Sequence, residues 1–570
     1  MTMDPSRGGR VLADLVGGLI ALIVVYGVGQ VALPSGDRCH GTSITVWSST
    51  EPGKARADTT AELGVLQRAA EEYGCVEVVP KSSGFAQQEI ADALNHDNNS
   101  RLPDVWLPTH SFWNELLNEH DGRYDDSLGS VTTSRMRLYV KSGTPLATSL
   151  GSASSVGWKA LAERARAGEL DLVKENALNS TSGAMTTILA FEAAAGGGSG
   201  ISADDVRAGK LDTYAAPLER SVASYPGEIV EFLSSFQPPV DTATLPTAMI
   251  VEEAVYKGFP HLAQHYRGVD LAGPDPTLDH PFLIRPGLDD RRKRLATALH
   301  RTLVSDGWQK QFDRAGFDPT GTEHPLTARD GKVVAAVLER WRETLRKRIS
   351  LAITIDQSGS TEPHKAEITE AISVALDSLT ETDRVAFYGF PAGRGAVFGP
   401  LSAPGFSDPK KLAVPEVANL GGSSPVIQAV RETADLVRDE VGVNADNPRK
   451  QAVIVITDGE QAGAGTAEEQ RSAAESIRRY RANGVQVFFV LVGDKPLCTV
   501  DRVYSTVASD CRRPGNRPAQ IGHDERHWVY CVTERPDCPT PLESQKGKSD
   551  EEHIRAIVQQ IFDQLGGAPL

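Results

Sequence analysis

Asp356, Ser358 and Ser360 occupy alternate positions in "AITIDQSGST", directly after an apolar run. Ser423 and Ser424 stand in "GGSSPV", and Asp458 follows another apolar run in "VIVITDGE". Hydroxyls and a carboxylate after a strand can simply cap the next helix, because their oxygens accept from its free amides. Three such stretches in one region suit a different chemistry. Carboxylates and hydroxyls are the hard donors that Mg²⁺, Mn²⁺ or Ca²⁺ take, and none of the three stretches holds the His or Cys that zinc prefers.

These residues can act together only if the fold brings the stretches to one place. From residue 349 onward, strand-like and helix-like runs alternate: "ISLAITID", then "HKAEITEAISVALDSL", "RVAFYGF", "SPVIQAVRETADLVRDE", "QAVIVITDGE", "TAEEQRSAAESIRRYRANG" and "VQVFFVLVG". Such alternation predicts a doubly wound α/β domain with a parallel sheet, in which loops after different strands meet at the carboxyl edge. Asp383 and Asp494, which flank other strands, read as solvated turn residues.

Taken together, "DQSGS", "GGSSPV" and "TDGE" resemble the metal-ion-dependent adhesion site of von Willebrand factor type A (VWA) domains. The resemblance implies a Rossmann-like fold for residues 349–568. It also implies an Mg²⁺ (or Mn²⁺ or Ca²⁺) site formed by Asp356, Ser358, Ser360, Ser424 and Asp458. The implied partner is a protein that offers an Asp or Glu to the metal. A serine replaces the threonine usual in that family, and "GSSP" admits Ser423 as well as Ser424; the following Pro425 and Val426 favour Ser424.

Residues 41–328 form a second α/β alternation, opening with "SITVWSS", "VEVVPKSS" and "DVWLPT" and read as parallel βαβ units. Polar loops after these strands, such as "WSSTEPG", "KSSGF", "LPTHSFW" and "NSTSG", could hold a polar solute at helix N-termini. Stretches such as "RLPDVWLPTHSFW", "ENALNSTSGAMTTILAFEAAAG" and "DPTLDHPFLIRPG" resemble bacterial extracellular solute-binding proteins. That resemblance implies a two-lobed, type II periplasmic-binding-protein-like domain with a cleft. Ser48, Ser49, Ser83, Thr109, Ser182 and Glu252 are its expected lining residues. A helix over 329–348 is expected to link the two regions.

The first residues concern location. Val11–Leu33 is apolar apart from Asp14 and Gln30, long enough to cross a bilayer as a helix, and Arg7 and Arg10 precede it. The reading is a single-pass anchor with residues 1–10 cytoplasmic and the bulk of the chain extracytoplasmic. Six cysteines without a paired C-x-x-C arrangement fit disulfides in an oxidising compartment. Cys39 and Cys75 each precede a strand-like run, so neighbouring strands would allow them to be bridged.

With 570 residues and a net charge of −16, the chain offers no basic stripe for nucleic acid. The thirteen His are scattered, and no Gly-x-Ser-x-Gly elbow or His-Glu-x-x-His helix occurs, so an enzyme is not expected. The expected function is binding: metal-dependent recognition of a protein partner, joined to a module that binds a small-molecule solute or serves as scaffold. The alternative is a tethered substrate-binding component of an ABC-type transport system, with the C-terminal domain as docking module.

Overall fold

The computed structural model describes residues 41–49, 62–96, 102–226, 229–320, 329–391, 399–458, 485–492, 529–531 and 550–565, apart from short gaps within them and a few positions between 468 and 477. The expected anchor at Val11–Leu33 lies outside the described residues. Among the described residues, no helix is long and apolar enough to cross a membrane.

Three sheets organise the described residues. The first contains β1 (Ile44–Ser48), β2 (Val76–Pro80), β3 (Val105–Leu107) and β11 (Leu283–Ile284), in the order β11-β3-β1-β2. β1 pairs parallel with both β2 and β3, while β11 returns antiparallel. Ile44 stands opposite Val76, and its N–H donates to the carbonyl of Cys75 at 3.1 Å. The strands that follow Cys39 and Cys75 are therefore neighbours. Cys75 is disulfide-bonded, and Cys39 lies outside the described residues.

The second sheet runs β5-β9-β4-β8-β6-β7, with β10 (Thr277–Leu278) against β4. Its members are β4 (Ser134–Lys141), β5 (Ser155–Gly157), β6 (Leu172–Val173), β7 (Val222–Ser224), β8 (Ala248–Glu252) and β9 (Tyr266–Ala272). The parallel βαβ reading of the opening strands does not extend to this sheet: β4 is antiparallel to both β8 and β9. β4 follows the crossing from the first sheet, after the short helix Phe112–Glu115 and the turn Leu116–His120.

The third sheet has the order β14-β13-β12-β15-β16-β17, from β12 (Ile349–Asp356), β13 (Arg384–Phe390), β14 (Gly399–Pro400), β15 (Lys450–Thr457), β16 (Val485–Leu491) and β17 (Val529–Cys531). All pairings are parallel except β13 with β14. Every residue of β12 is buried, as a central strand covered on both faces requires. Ile349, Leu351, Ile353 and Ile355 pack with Ile368, Ile372, Ile557 and Phe562 on one face. Ala352 faces Val426, Val430 and Val437 of the helix Val426–Val441 on the other. Each large aliphatic chain buried in this way contributes roughly 1.5–3 kcal/mol.

The helix Gly331–Arg340 starts where the Asp330 carboxylate accepts from Lys332 N–H at 2.8 Å, and it continues as a π-helical turn, Trp341–Leu345. Val334, Val337 and Trp341 join the core beneath the second sheet, and Arg340 pairs with Asp212 at 2.6 Å. The segment leading into β12 is thus fastened to the second sheet's helices.

Candidate metal centre

β12 and β15 are adjacent and in register, with Ile355 opposite Ile456. Parallel pairing delivers Asp356 and Thr457-Asp458 to the same edge. Asp356 is fully buried, Ser358 and Asp458 are each 3% exposed, and Ser360 is partly buried. The Asp356 carboxylate is fixed by two donors, Ser358 N–H to Oδ1 at 3.0 Å and Thr457 Oγ1 to Oδ2 at 2.7 Å. Thr361 Oγ1 ties the loop by donating to the carbonyls of Asp356 and Ser358, at 3.0 and 2.8 Å. The Ser358 and Ser360 hydroxyls are then left 3.1 Å apart.

The end of β13 and the chain at Leu420 close around this loop. Gln357 N–H donates to the Phe390 carbonyl at the end of β13 (2.7 Å), and the Gln357 carbonyl accepts from Leu420 N–H (3.0 Å). The second bond brings the chain just ahead of "GGSSPV" to the Asp356 loop. Gly389 leaves room here: a Cβ at that position would sit 2.3 Å from the Gln357 side-chain oxygen, which would have to move. Ser423 and Ser424 lie outside the described residues. Thr457 and Gln357 stand inside the quoted "TDGE" and "DQSGS" stretches, and neither is among the expected ligands.

Among the described residues, no cluster of three His, Cys, Asp or Glu side chains is placed to hold an ion. A cation at this edge would have to draw on hydroxyls beside its carboxylates. Two buried carboxylates and two adjacent serine hydroxyls are an all-oxygen donor set, and that chemistry fits Mg²⁺ or Mn²⁺.

The other end of β12 holds a correction. Asp383 is not a solvated turn residue; it is fully buried. Its carboxylate pairs with Arg346 at 2.6 Å and accepts from Ile349 N–H and Thr380 N–H, both at 2.8 Å. This buried pair joins the end of the π-helical turn to the starts of β12 and β13. Asp494 lies outside the described residues.

The residues expected to line a solute cleft are all buried. Ser49, Ser83 and Thr109, from the loops after β1, β2 and β3, bond to one another. Thr109 Oγ1 donates to Ser49 Oγ at 2.9 Å, and Thr109 N–H donates to Ser83 Oγ at 3.0 Å. Ser182 begins the helix Thr181–Ala194 and, with Ser180, donates to the Glu175 carboxylate, which also accepts Ile229 N–H at 2.9 Å. The loops of the two sheets touch directly: Gly84 N–H and Ser82 Oγ donate to the Asn179 carbonyl at 2.9 and 3.0 Å. Ser48 is buried beside Ser49 but outside these bonds.

Glu252 sits elsewhere, at the crossing between the two sheets. Ser134 Oγ donates to its Oε1 at 2.5 Å and lies 3.0 Å from His280 Nε2, while Glu252 Oε2 has no hydrogen-bond partner among the described residues. Alongside, Arg329 Nη1 lies 2.8 Å from His110 Nε2 and pairs with Glu192 at 2.9 Å. Burial pushes His110 down to about 4; Asp279 opposes the shift and Arg329 adds to it. His110 is therefore neutral at physiological pH.

No family model and no curated protein matches the sequence. Parts of the chain are similar to solved structures at low identity. The sulfate-binding protein SubI from Mycobacterium tuberculosis H37Rv is 15% identical, with 53% of this chain and 91% of that chain covered and a TM-score of 0.35. The periplasmic binding protein AfuA from Actinobacillus pleuropneumoniae, solved with fructose-6-phosphate, is 11% identical over 53% and 98%, with a TM-score of 0.38. Iron-bound HitA from Pseudomonas aeruginosa is 12% identical over 53% and 98%, with a TM-score of 0.37.

Proposed function

We propose that this chain is a membrane-anchored, extracytoplasmic recognition protein whose C-terminal, VWA-like domain binds a protein partner through a divalent cation. The observation that carries the reading is the fixed Asp356 carboxylate, held between Ser358 N–H and Thr457 Oγ1 at the edge that Asp458 shares. Ser358, Ser360, Ser424, Asp356 and Asp458 would hold Mg²⁺ or Mn²⁺. The bound cation supplies an open coordination position for an Asp or Glu carboxylate of the partner. The chain's own part is to keep its carboxylates and hydroxyls converged before any partner arrives, so that little ordering is left for the binding step.

The N-terminal region acts in this reading as a rigid body that presents the recognition domain. The hydroxyls of Ser49, Ser83 and Thr109 are already engaged with one another, and the two loop sets are joined at Asn179. Capture of surface proteins by the full chain, in Mg²⁺ and in EDTA, tests the first part. A partner retained equally in EDTA, or by Ser358→Ala, contradicts metal-dependent recognition. A solute panel followed by thermal shift tests the second; a ligand that raises Tm would make the N-terminal region a working receptor and favour the transport reading.

A further inference from the structure

Gln357 separates two of the expected ligands, Asp356 and Ser358. It is 2% exposed, and both of its backbone groups are engaged by other parts of the chain. Its N–H donates to the Phe390 carbonyl at 2.7 Å, one residue past the last paired position of β12 and β13, where Asp356 stands opposite Phe390. Its carbonyl accepts from Leu420 N–H at 3.0 Å. Its side chain fills the space that Gly389 leaves: a Cβ at Gly389 would lie 2.3 Å from the Gln357 oxygen and 2.8 Å from Leu401.

These contacts matter because Asp356 is the last residue of β12. A residue past a strand end can turn about two backbone dihedrals unless its polar groups are bonded. Gln357 is the single link between the Asp356 carboxylate and the Ser358 hydroxyl, so a rotation there moves one donor relative to the other. The Thr361 bonds close this loop on itself, whereas those of Gln357 tie it to β13 and to the chain at Leu420. The Leu420 side chain is 44% exposed, so its hold on the loop is carried by the amide.

We propose that Gln357 is a positioning residue of the metal centre, with the Leu420 amide as the clamp that holds it. The inference rests on the reading of Asp356 and Ser358 as ligands. Gln357 acts through those two residues: its bonds fix the separation of their oxygens before a cation arrives, so that little ordering is left for binding. Outer partners that orient metal ligands commonly alter affinity by about 10–100-fold.

The test is Mn²⁺ titration of the full chain by electron paramagnetic resonance, beside Gln357→Ala and Leu420→Pro, with the Tm of each recorded without metal. Proline removes the Leu420 N–H. Both variants should bind Mn²⁺ about tenfold more weakly than wild type, with metal-free Tm within a few degrees. Leu420→Ala, the conservative variant that retains the N–H, should restore what Leu420→Pro loses. Equal affinity in wild type and Gln357→Ala overturns the proposal, and so does equal loss in Leu420→Pro and Leu420→Ala. If Leu420→Pro does not fold, Gln357→Ala decides the matter alone. A wild-type chain that binds no Mn²⁺ contradicts the metal reading itself, and this inference with it.

Discussion

Lys450 Nζ, on the first residue of β15, donates to the carbonyl oxygen of Ala223 at the second sheet, 2.6 Å away. The other end of the same strand carries Thr457, which fixes Asp356. One eight-residue strand thus spans from the N-terminal region to the candidate metal centre. Burial pushes Lys450 down to about 7; neighbouring Lys347 adds to the shift and Asp171 opposes it. An unfolded lysine titrates near 10.4.

Between these two values the unfolded chain holds the extra proton, so stability should rise with pH from about 7 towards 10, and its gain should be absent below about 7. Lys347 is lowered by burial as well and acts in the same direction. Comparing wild type with Lys450→Met isolates one residue. The variant should show a flatter Tm curve between pH 6.5 and 9, and parallel curves would contradict the assignment.

Arg346 and Asp383 form a buried pair near this junction, with both side chains almost fully buried. Arg346→Ala leaves a buried carboxylate without its cation and should cost about 3–5 kcal/mol. Urea unfolding of the full chain measures it, and a loss under about 1 kcal/mol would show that the backbone donors alone satisfy Asp383.

Gly84 tests whether the loops of the first two sheets are locked together. A Cβ there would lie 2.2 Å from the Leu178 carbonyl and 2.6 Å from Asn179 Cα, both backbone atoms that cannot rotate away. Gly84→Ala should destabilise by about 1–3 kcal/mol as an overpacked contact. A neutral effect would mean that the two loop sets part easily and that the rigid-body reading is wrong.

Much of the candidate centre could be read from local sequence, because Asp356, Ser358 and Ser360 share one loop and Asp458 ends a strand with an unbroken apolar run. The convergence of these loops followed from strand and helix alternation alone. Asp383 could not be read in the same way. A Thr-x-x-Asp turn looks identical in sequence whether it faces water or Arg346, and only the path of the π-helical turn brings that arginine over it. The antiparallel pairing of β4 was equally hidden, since alternation does not reveal when a chain crosses between sheets. Ser49, Ser83 and Thr109 were found by type and position, but their bonding to one another depends on three loops meeting.

Thr457 acts on the centre through Asp356, without being one of its proposed ligands. Thr457→Val keeps the shape and removes the donor at 2.7 Å. Loss of such an orienting bond should weaken cation binding by about tenfold or more. Thr457→Ser should restore it, and a valine variant that binds Mn²⁺ as wild type would show that Asp356 needs no such support.

The most direct measurement is Mn²⁺ titration of the full chain by electron paramagnetic resonance, with Mg²⁺ as competitor. The account predicts one Mn²⁺ per chain, displaced by Mg²⁺, and lost in Ser358→Ala and in Asp458→Ala while Tm without metal stays within a few degrees of wild type. Mn²⁺ bound with unchanged affinity in both variants, or not bound by the wild-type chain at millimolar concentration, would contradict it.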